Sequence, residues 1–118
     1  ILDAIARGQE ITIPNPDEEG DWLYIKDAVK AILALWDAPK APQRIYNVAG
    51  GAHTIREVAE IARGLKPESS VKLIEGGAKQ SPYPSAYDDA PARRDWNWSP
   101  DYSIADSVRE HLDIVSRA

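Results

Sequence analysis

The sequence predicts an α/β fold, because short strand-like runs alternate with helical periodicity through the middle of its 118 residues. Two helix starts are marked by capping-box-like patterns, Thr54 with Glu57 and Ser103 with Asp106. A hydrophobic content of 43% is enough for a globular core. We therefore expect residues 1–118 to form one folded unit.

The chain is expected to open with a short helix and a strand. Apolar residues in segment 1–8 lie at helical spacing, and Gly8 is placed to end this helix. The alternation in Ile11–Ile13 is typical of a strand. Two prolines and several acidic residues then predict a surface loop from Pro14 to Gly20.

A second strand and an apolar helix are expected next. Residues 22–25 form a strand-like run, and Asp27 is a natural N-cap for a helix over residues 28–36. Nearly every residue of this helix is apolar, which is typical of a helix buried on several sides. Because small domains bury only about 60–68% of their surface, we expect its partners to lie outside this chain. Burial at the centre of a compact small domain is the alternative.

The second half is expected to continue the alternation. Residues 44–49 form a strand-like run, and the glycine pair at 50–51 is interpreted as a connector to the next helix. That helix begins at the Thr54 cap and keeps its apolar periodicity to Leu65. Residues 71–74 are a further candidate strand.

Two more helices are expected near the end of the chain. A glycine pair at 76–77 and a proline-rich loop up to Pro84 precede them. The first is expected to start at an Asp89 cap with Pro91 in its first turn, where a missing amide breaks no hydrogen bond. The last helix is expected to start at Ser103.

Composition excludes several classes of partner. The net charge is −5 and the basic residues form no stripe, so nucleic acid is not expected as a partner. No run of about 20 apolar residues is present, so no membrane partner is expected and the protein is predicted to be cytoplasmic. The chain has no Cys and no Met. The missing Met leads us to expect a piece of a longer protein.

No catalytic, cofactor-binding or metal-binding residue is predicted in this chain. It lacks the glycine cluster that dinucleotide folds place at their first strand-to-helix turn. None of its 5 tyrosines is followed four residues later by a Lys that could lower the pKa of a phenol. His53 and His111 lie too far apart in sequence to suggest a metal site. Asp88 and Asp89 are interpreted as helix caps rather than as an acid/base pair.

Four aromatic side chains are the candidate substrate-binding residues, with the two tyrosines of the second half ranked first. All four fall in or beside predicted loops, where a flat ring can stack on a sugar or base and a hydroxyl can orient polar groups. Local packing is the alternative for each of them. The candidates are Tyr83, Tyr87, Trp22 and Tyr24.

Three ordered motifs resemble the C-terminal third of extended short-chain dehydrogenases/reductases, the NAD-dependent epimerase/dehydratase family. The motifs are GDWLYIKDAVKAIL at 20–33, RIYNVAGGAHTIREVAEIA at 44–62 and YDDAPARRDWNWSPDYSIADSVREHL at 87–112. The resemblance covers nearly the whole chain. It implies a substrate-binding portion joined to the last strands and helices of a Rossmann-type fold. The N-terminal half, absent here, would bind most of the NAD or NADP, and the parent would be a homodimer.

The resemblance also implies a function. The main interpretation is that this chain is the substrate-binding C-terminal portion of an NAD(P)-dependent sugar epimerase/dehydratase-type oxidoreductase, and that the parent enzyme acts on a nucleotide sugar. Residues 83–98 resemble a segment of the L-threonine 3-dehydrogenases of this family, with Tyr83 for Trp and Asn97 for Gly. An amino or hydroxy acid substrate is therefore one alternative, and a non-catalytic binding module is another. Gly20 stands where sugar-nucleotide epimerases commonly carry an Arg for the diphosphate, which puts a nucleotide sugar in doubt.

Overall fold

The computed structural model describes residues 1–76 and 81–118, and it confirms the predicted α/β class. Gly77 of the predicted loop lies outside the described residues. Helices and strands alternate through most of the chain. The elements are α1 (Leu2–Ala6), β1 (Ile11–Ile13), β2 (Glu19–Asp21), α2 (Ile25–Asp37), β3 (Ala52–Thr54), α3 (Ile55–Leu65), β4 (Val71–Leu73), α4 (Ala90–Trp96) and α5 (Ile104–Arg117).

The described strands form two separate pairs. β1 lies parallel to β4, with Ile11 opposite Val71. β2 lies antiparallel to β3, with Gly20 opposite His53. Because β3 runs directly into α3, the second pair fixes the start of that helix beside β2.

Three helices enclose the first hydrophobic core. Its buried residues come from α1, α3 and α5, and the pairs on α3 and α5 lie at helical spacing, so each of these two helices contributes one apolar face. The last helix, whose predicted start at Ser103 is confirmed, contributes its two most buried positions to this core. The core residues are Ile5, Val58, Ala62, Val108 and Leu112.

A second, smaller core joins α2 to α4. Ala31 of α2 and Ala92 of α4 pack against Trp98, whose side chain is 1% exposed. Small residues on both helices leave the space that the indole fills. Arg93 lies over the Trp98 ring, 5.8 Å from its centroid. This core holds the short α4 against the rest of the chain.

The strand predicted over residues 22–25 is wrong. The pairing lies immediately before it, in Glu19–Asp21, and Ile25 already begins α2. The backbone nitrogen of Trp22 still donates to the Gly51 carbonyl at 2.9 Å, so the chain stays extended beyond the strand. The apolar run therefore reflects packing of this extended segment rather than a longer strand.

Asp27 is not the N-cap of α2. Tyr24 occupies the cap position, and Asp27 lies buried in the first turn. Its carboxylate accepts hydrogen bonds from the backbone nitrogens of Asp101, at 2.8 Å, and Tyr102, at 3.1 Å. The carboxylate satisfies amides of a distant segment because that segment crosses beside the start of α2.

The strand predicted over 44–49 is also wrong for this chain, since none of the described strands pairs with it. The strand lies later, at Ala52–Thr54. A strand requires a neighbouring backbone for its hydrogen bonds, and a pattern of side chains cannot supply one. Ile45 is 79% exposed, so the apolar residues of this run also lack a covering surface.

The predicted caps have mixed outcomes. Thr54 caps α3 by accepting from the backbone nitrogen of Glu57 at 3.1 Å, as predicted, whereas the Glu57 carboxylate contacts the His53 ring. Ser103 caps α5 in the same way. Asp89 occupies the N-cap position of α4 but makes no capping hydrogen bond, because its backbone is not in the extended conformation that aims a cap inward. Its carboxylate pairs with Arg93 instead.

Most of α2 is exposed, so the alternative of burial at the centre of a compact small domain is wrong. Only Asp27 and Ala31 are buried, whereas Trp36 is 86% and Ile32 68% exposed. An exposed apolar surface of this kind agrees with the expectation that the partners of α2 lie outside this chain.

Within the described part of the chain, no helix has both the length and the apolar character needed to cross a bilayer.

Candidate functional site

A cavity of about 250 Å³ lies along β2, and we call it the β2 cavity. The β2–β3 pair forms one wall and the first residue of α3 another. Ser81 closes a further side and brings in the segment that carries Tyr83, whose backbone nitrogen donates to the Ser81 hydroxyl at 3.3 Å. The lining residues are Glu18, Glu19, Gly20, Asp21, Trp22, Ile55 and Ser81.

Trp22 is the one predicted aromatic residue that lines the β2 cavity among the described lining residues. Its indole Nε1 donates to the carbonyl of His53 at 3.0 Å, which fixes the ring against β3. The polar end of the ring is therefore occupied within the protein. What Trp22 can offer a ligand is the apolar surface of its ring.

Tyr24 lies elsewhere. Its ring packs against Tyr102 with centroids 4.7 Å apart, and its hydroxyl donates to the Glu110 carboxylate at 2.6 Å. It lines a separate, smaller cavity of about 80 Å³ together with Ser107 and His111. Trp22 lines this smaller cavity too, so the structure brings Trp22 and Tyr24 together there, whereas Tyr24 is not among the described residues that line the β2 cavity.

Tyr83 and Tyr87 lie on the surface, where Tyr83 is 75% and Tyr87 39% exposed. Tyr83 is linked to the β2 cavity through Ser81, whereas Tyr87 is not among its described lining residues. An exposed ring can turn toward a bound molecule at little cost. A substrate role for both tyrosines stays a prediction.

The charge of the β2 cavity is negative. Among the described lining residues, Glu18, Glu19 and Asp21 carry carboxylates and none is a Lys, Arg or His. Arg56 lies nearby, but its guanidinium is held by Asp17, at 2.8 Å, and by Glu75. Those hydrogen bonds raise the pKa of Arg56 and lower the pKa of Asp17. A Cβ at Gly20 would meet nothing within 4 Å, so this position is open.

The backbone amides of Gly50 and Gly51 are already bound. Both donate to the Asp21 carboxylate, Gly51 at 2.9 Å and Gly50 at 3.1 Å. A pyrophosphate needs free amides at such a turn and would be repelled by the carboxylate. This turn therefore does not fit a dinucleotide, and the interpretation of the glycines as a structural connector agrees with the geometry.

A linked cluster of titratable groups surrounds Glu110, outside the described lining of the β2 cavity. Burial, and then the hydrogen bond to Glu110, raises the pKa of Tyr24 to about 12. The ammonium of Lys26, 2.7 Å away, and the Tyr24 hydroxyl lower the pKa of Glu110. Tyr24 thus stays protonated near neutral pH and acts as a hydrogen-bond donor. Among the described residues, no group of three or more His, Cys, Asp or Glu side chains could hold a metal ion.

Sequence reasoning missed most of the β2 cavity. Glu18, Glu19, Ile55 and Ser81 were not predicted as site residues, because they come from segments that only the fold brings together. Gly20, noted in the sequence for the missing arginine, lines this cavity as well. The acidic residues in and just before β2 carry no local sequence signal that would mark them as site residues.

The chain has relatives among known enzymes. It is 29% identical over 117 residues to the mitochondrial L-threonine 3-dehydrogenase of Sus scrofa, covering 95% of this chain and 31% of that protein. The structure of a partial-consensus L-threonine 3-dehydrogenase superposes with a TM-score of 0.84 at 26% identity, covering 99% of this chain and 40% of that one. No protein-family model matches the chain.

A more distant likeness concerns the fold alone. UDP-glucuronic acid 4-epimerase from Bacillus cereus, solved in complex with NAD, gives a TM-score of 0.76 at 17% identity, covering 98% of this chain and 37% of that one. The predicted Rossmann-type relationship is thus confirmed at the level of fold. The resemblance indicated by the three motifs is confirmed as well: the relatives of this chain are L-threonine 3-dehydrogenases of the extended short-chain dehydrogenase/reductase family.

Proposed function

We propose that this chain is the substrate-side, C-terminal portion of an NAD(P)-dependent oxidoreductase that acts on a small amino acid of the L-threonine type. The observation that carries the proposal is the alignment with an L-threonine 3-dehydrogenase over 95% of the chain. Since the chain spans 31% of that relative, the activity belongs to a longer parent enzyme. The dinucleotide would be held mainly by the remainder of the parent.

The β2 cavity supports an amino acid better than a nucleotide sugar. The carboxylates of Glu18 and Glu19 attract an ammonium group and repel a diphosphate, whereas the Asp21 carboxylate is already occupied by the Gly50 and Gly51 amides. Gly20 has no side chain that could form the bidentate hydrogen bonds by which Arg binds phosphate. The amino-acid alternative from the sequence therefore becomes the leading proposal.

A nucleotide-sugar epimerase or dehydratase is the second candidate. The fold likeness to a UDP-glucuronic acid 4-epimerase favours it, although that likeness is at 17% identity. Under this proposal, the Lys or Arg side chains that bind the diphosphate would come from outside the described lining of the β2 cavity. The two candidates differ in the charge of the substrate, which makes them separable by a charge substitution.

The exposed surface of α2 supports the assignment to a longer parent. A groove of about 670 Å³ runs between α2 and the unpaired segment 41–48, with Ile32, Leu35 and Trp96 in its walls. We infer that the dinucleotide-binding portion of the parent covers this groove and pairs with segment 44–49. The chain would then complete the sheet of the cofactor domain while closing over the substrate.

Other properties of the parent are proposed on the same basis. We propose a homodimer whose contacts lie mainly outside this chain, and a cytoplasmic location. The Sus scrofa relative is named as mitochondrial, so localisation by fluorescent fusion of the full-length protein is the direct test. Retention in an organelle would overturn the cytoplasmic proposal.

The function is tested in the full-length parent enzyme. We expect dinucleotide reduction with L-threonine and no epimerisation of UDP-sugars. Gly20→Arg should lower kcat/KM for the amino acid by about tenfold, because a cation in the β2 cavity competes with the substrate ammonium. Epimerisation of a UDP-sugar by the unsubstituted enzyme, without amino-acid oxidation, would instead establish the second candidate.

The substrate role of Tyr83 is tested by comparing two substitutions at one position. Tyr83→Ala should raise the substrate KM several-fold, since it removes both ring and hydroxyl, and Tyr83→Phe separates the two contributions. Ile114→Ala on the exposed surface of α5 is the control, with no change expected. Unchanged kcat/KM in Tyr83→Ala would show that Tyr83 does not contact the substrate.

A full-length protein that unfolds cooperatively but is inactive on both amino acids and UDP-sugars would favour the alternative of a non-catalytic binding module.

A further inference from the structure

The carboxylate of Asp21 ties two distant segments of the chain together. Its Oδ1 atom accepts from the backbone nitrogens of Gly51, at 2.9 Å, and Gly50, at 3.1 Å, and Oδ2 lies 3.3 Å from the Gly50 nitrogen. The adjacent Trp22 nitrogen donates to the Gly51 carbonyl at 2.9 Å. We call this set of contacts the Asp21 clasp.

The two backbones in the clasp lie in direct contact. A Cβ at position 50 would overlap the carbonyl oxygen of Trp22 and lie 2.6 Å from the Cα atom of Leu23. Both obstacles are backbone atoms, which cannot move aside as a flexible side chain can. Gly51 has a φ of +133°, in the region that favours glycine. Gly50 is thus required for the close approach of residues 22–23, which follow β2, and Gly51 for the backbone conformation beside it.

The clasp connects two parts of the molecule with different proposed roles. Gly20 and Trp22 on one side line the β2 cavity. Segment 44–49, which leads directly into Gly50, is the segment proposed to pair with the dinucleotide-binding portion of the parent. The position of the cavity wall relative to the dinucleotide therefore depends on the contact between Asp21 and the glycine pair.

Building on the proposed function, we propose that Asp21 is a positioning residue that sets the substrate-binding wall of the β2 cavity relative to the dinucleotide-binding portion. Hydrogen bonds to a charged acceptor are roughly twice as strong as neutral ones, which makes a carboxylate suited to this task. Precise placement matters because a misplacement of about 1 Å can cost about a hundredfold in rate. Asp21 acts through the backbone and not by touching the substrate.

The chain contains a matched control for this proposal. Asp27 likewise accepts two backbone amides with one carboxylate, at 2.8 and 3.1 Å, but it does so between α2 and the start of α5. It is not among the described residues that line the β2 cavity. A substitution of Asp27 therefore breaks the same kind of contact without moving the cavity wall.

The experiment uses the full-length parent enzyme and compares Asp21→Ala, Asp21→Asn and Asp27→Asn. Steady-state kinetics give kcat and the KM for the amino acid, and titration of protein fluorescence gives the Kd for the dinucleotide. We expect Asp21→Ala to raise the substrate KM by about tenfold while the dinucleotide Kd stays within about twofold. Asp21→Asn should give a smaller rise, because its carboxamide oxygen can still accept one amide. Asp27→Asn should leave the substrate KM unchanged.

Each other outcome overturns a stated part of the argument. If the unsubstituted enzyme is active and the Asp21 variants keep its KM, the positioning role is wrong and the proposed function stands. An equal rise in KM for the Asp21 and Asp27 variants overturns the positioning role too, because the effect is then one of general stability. If Asp21→Ala does not fold, the same test is made with the other two variants: a rise in substrate KM for Asp21→Asn but not for Asp27→Asn supports the positioning role, and no difference between them overturns it. Lack of amino-acid oxidation by the unsubstituted enzyme overturns the proposed function and the inference with it.

Discussion

A buried carboxylate needs partners, and Asp27 finds them in backbone amides far along the chain. It is 1% exposed and accepts from the nitrogens of Asp101 and Tyr102. Removing it would leave two donors without their acceptor in a buried place. We expect Asp27→Ala to lower the free energy of unfolding by about 3 kcal/mol in urea titrations.

The control for this substitution lies on the same segment. Asp101 contacts Lys30 through an exposed ion pair, so Asp101→Ala should change the free energy of unfolding by less than about 1 kcal/mol. Comparable losses for the two variants would show that the backbone contacts of Asp27 contribute little. The position of Asp27 before a helical run was evident in the sequence. Its partners, more than seventy residues away, had no local signature.

The Tyr24 hydroxyl carries a pH dependence of stability. Its pKa is raised from 10.0 to about 12, first by burial and then by the hydrogen bond to Glu110. The folded protein therefore keeps a proton that the unfolded chain has lost between these two values. The contribution of Tyr24 to stability is present in full below pH 10 and is lost as the pH rises toward 12.

Tyrosinate absorbance during an alkaline titration checks this expectation. We expect one late step in the unsubstituted protein and its disappearance in Tyr24→Phe. Tyr83→Phe, at an exposed position, should leave the late step in place. A late step that survives in Tyr24→Phe would assign it to another group. The substrate role of Tyr24 stays a prediction, because an aromatic residue beside a loop gives the same sequence signal in a substrate site and in local packing.

At the scale of elements, helix starts were the most predictable features because their signals are local. Thr54 and Ser103 each accept from a backbone nitrogen three residues later. Thr54→Ala should therefore lower the free energy of unfolding by about 1 kcal/mol. Asp89→Ala is the informative comparison, since Asp89 occupies a cap position without a capping hydrogen bond.

The expected difference between these variants concerns α3 and α4. Circular dichroism during urea unfolding should show a loss of helix stability in Thr54→Ala that exceeds the loss in Asp89→Ala. An equal or larger loss in Asp89→Ala would mean that its ion pair with Arg93 is the stronger determinant of α4. The sequence marks both residues as caps, and only the backbone conformation separates them.

Strands were less predictable than helices for a physical reason. The runs 22–25 and 44–49 have the composition of strands, yet neither is paired in the described chain. Helical hydrogen bonds close within a few residues, whereas a strand depends on a partner strand, which can be far away in sequence or belong to another part of the protein. The run 44–49 thus remains a strand prediction for the longer parent.

The shape of the whole molecule agrees with its proposed place in a larger enzyme. Its radius of gyration is 16.4 Å, and its extents are 48 × 35 × 17 Å. A compact domain of this length would have a radius of about 13.5 Å. The chain is therefore flat, with two small cores instead of one. One broad surface, formed by α2 and segment 41–48, is apolar and uncovered.

The apolar surface of α2 leads to a prediction that depends on context. Ile32 is 68% exposed in this chain and lines the groove beside α2. In the isolated chain, Ile32→Glu should change the free energy of unfolding by no more than about 0.5 kcal/mol and should reduce binding of a hydrophobic dye. In the full-length parent the same substitution should cost about 3 kcal/mol, because the charge would be buried against the dinucleotide-binding portion.

Ile114→Glu provides the matched control, since Ile114 is 54% exposed on α5 and away from the groove. It should have little effect in either protein. Urea unfolding of both variants, each in the isolated chain and in the full-length parent, gives the four free energies of unfolding that the comparison needs. If Ile32→Glu is as well tolerated in the parent as Ile114→Glu, the groove stays open in the full-length enzyme. The exposed face of α2 would then belong to a contact with another molecule, and the proposed docking of this chain onto the cofactor domain would be wrong.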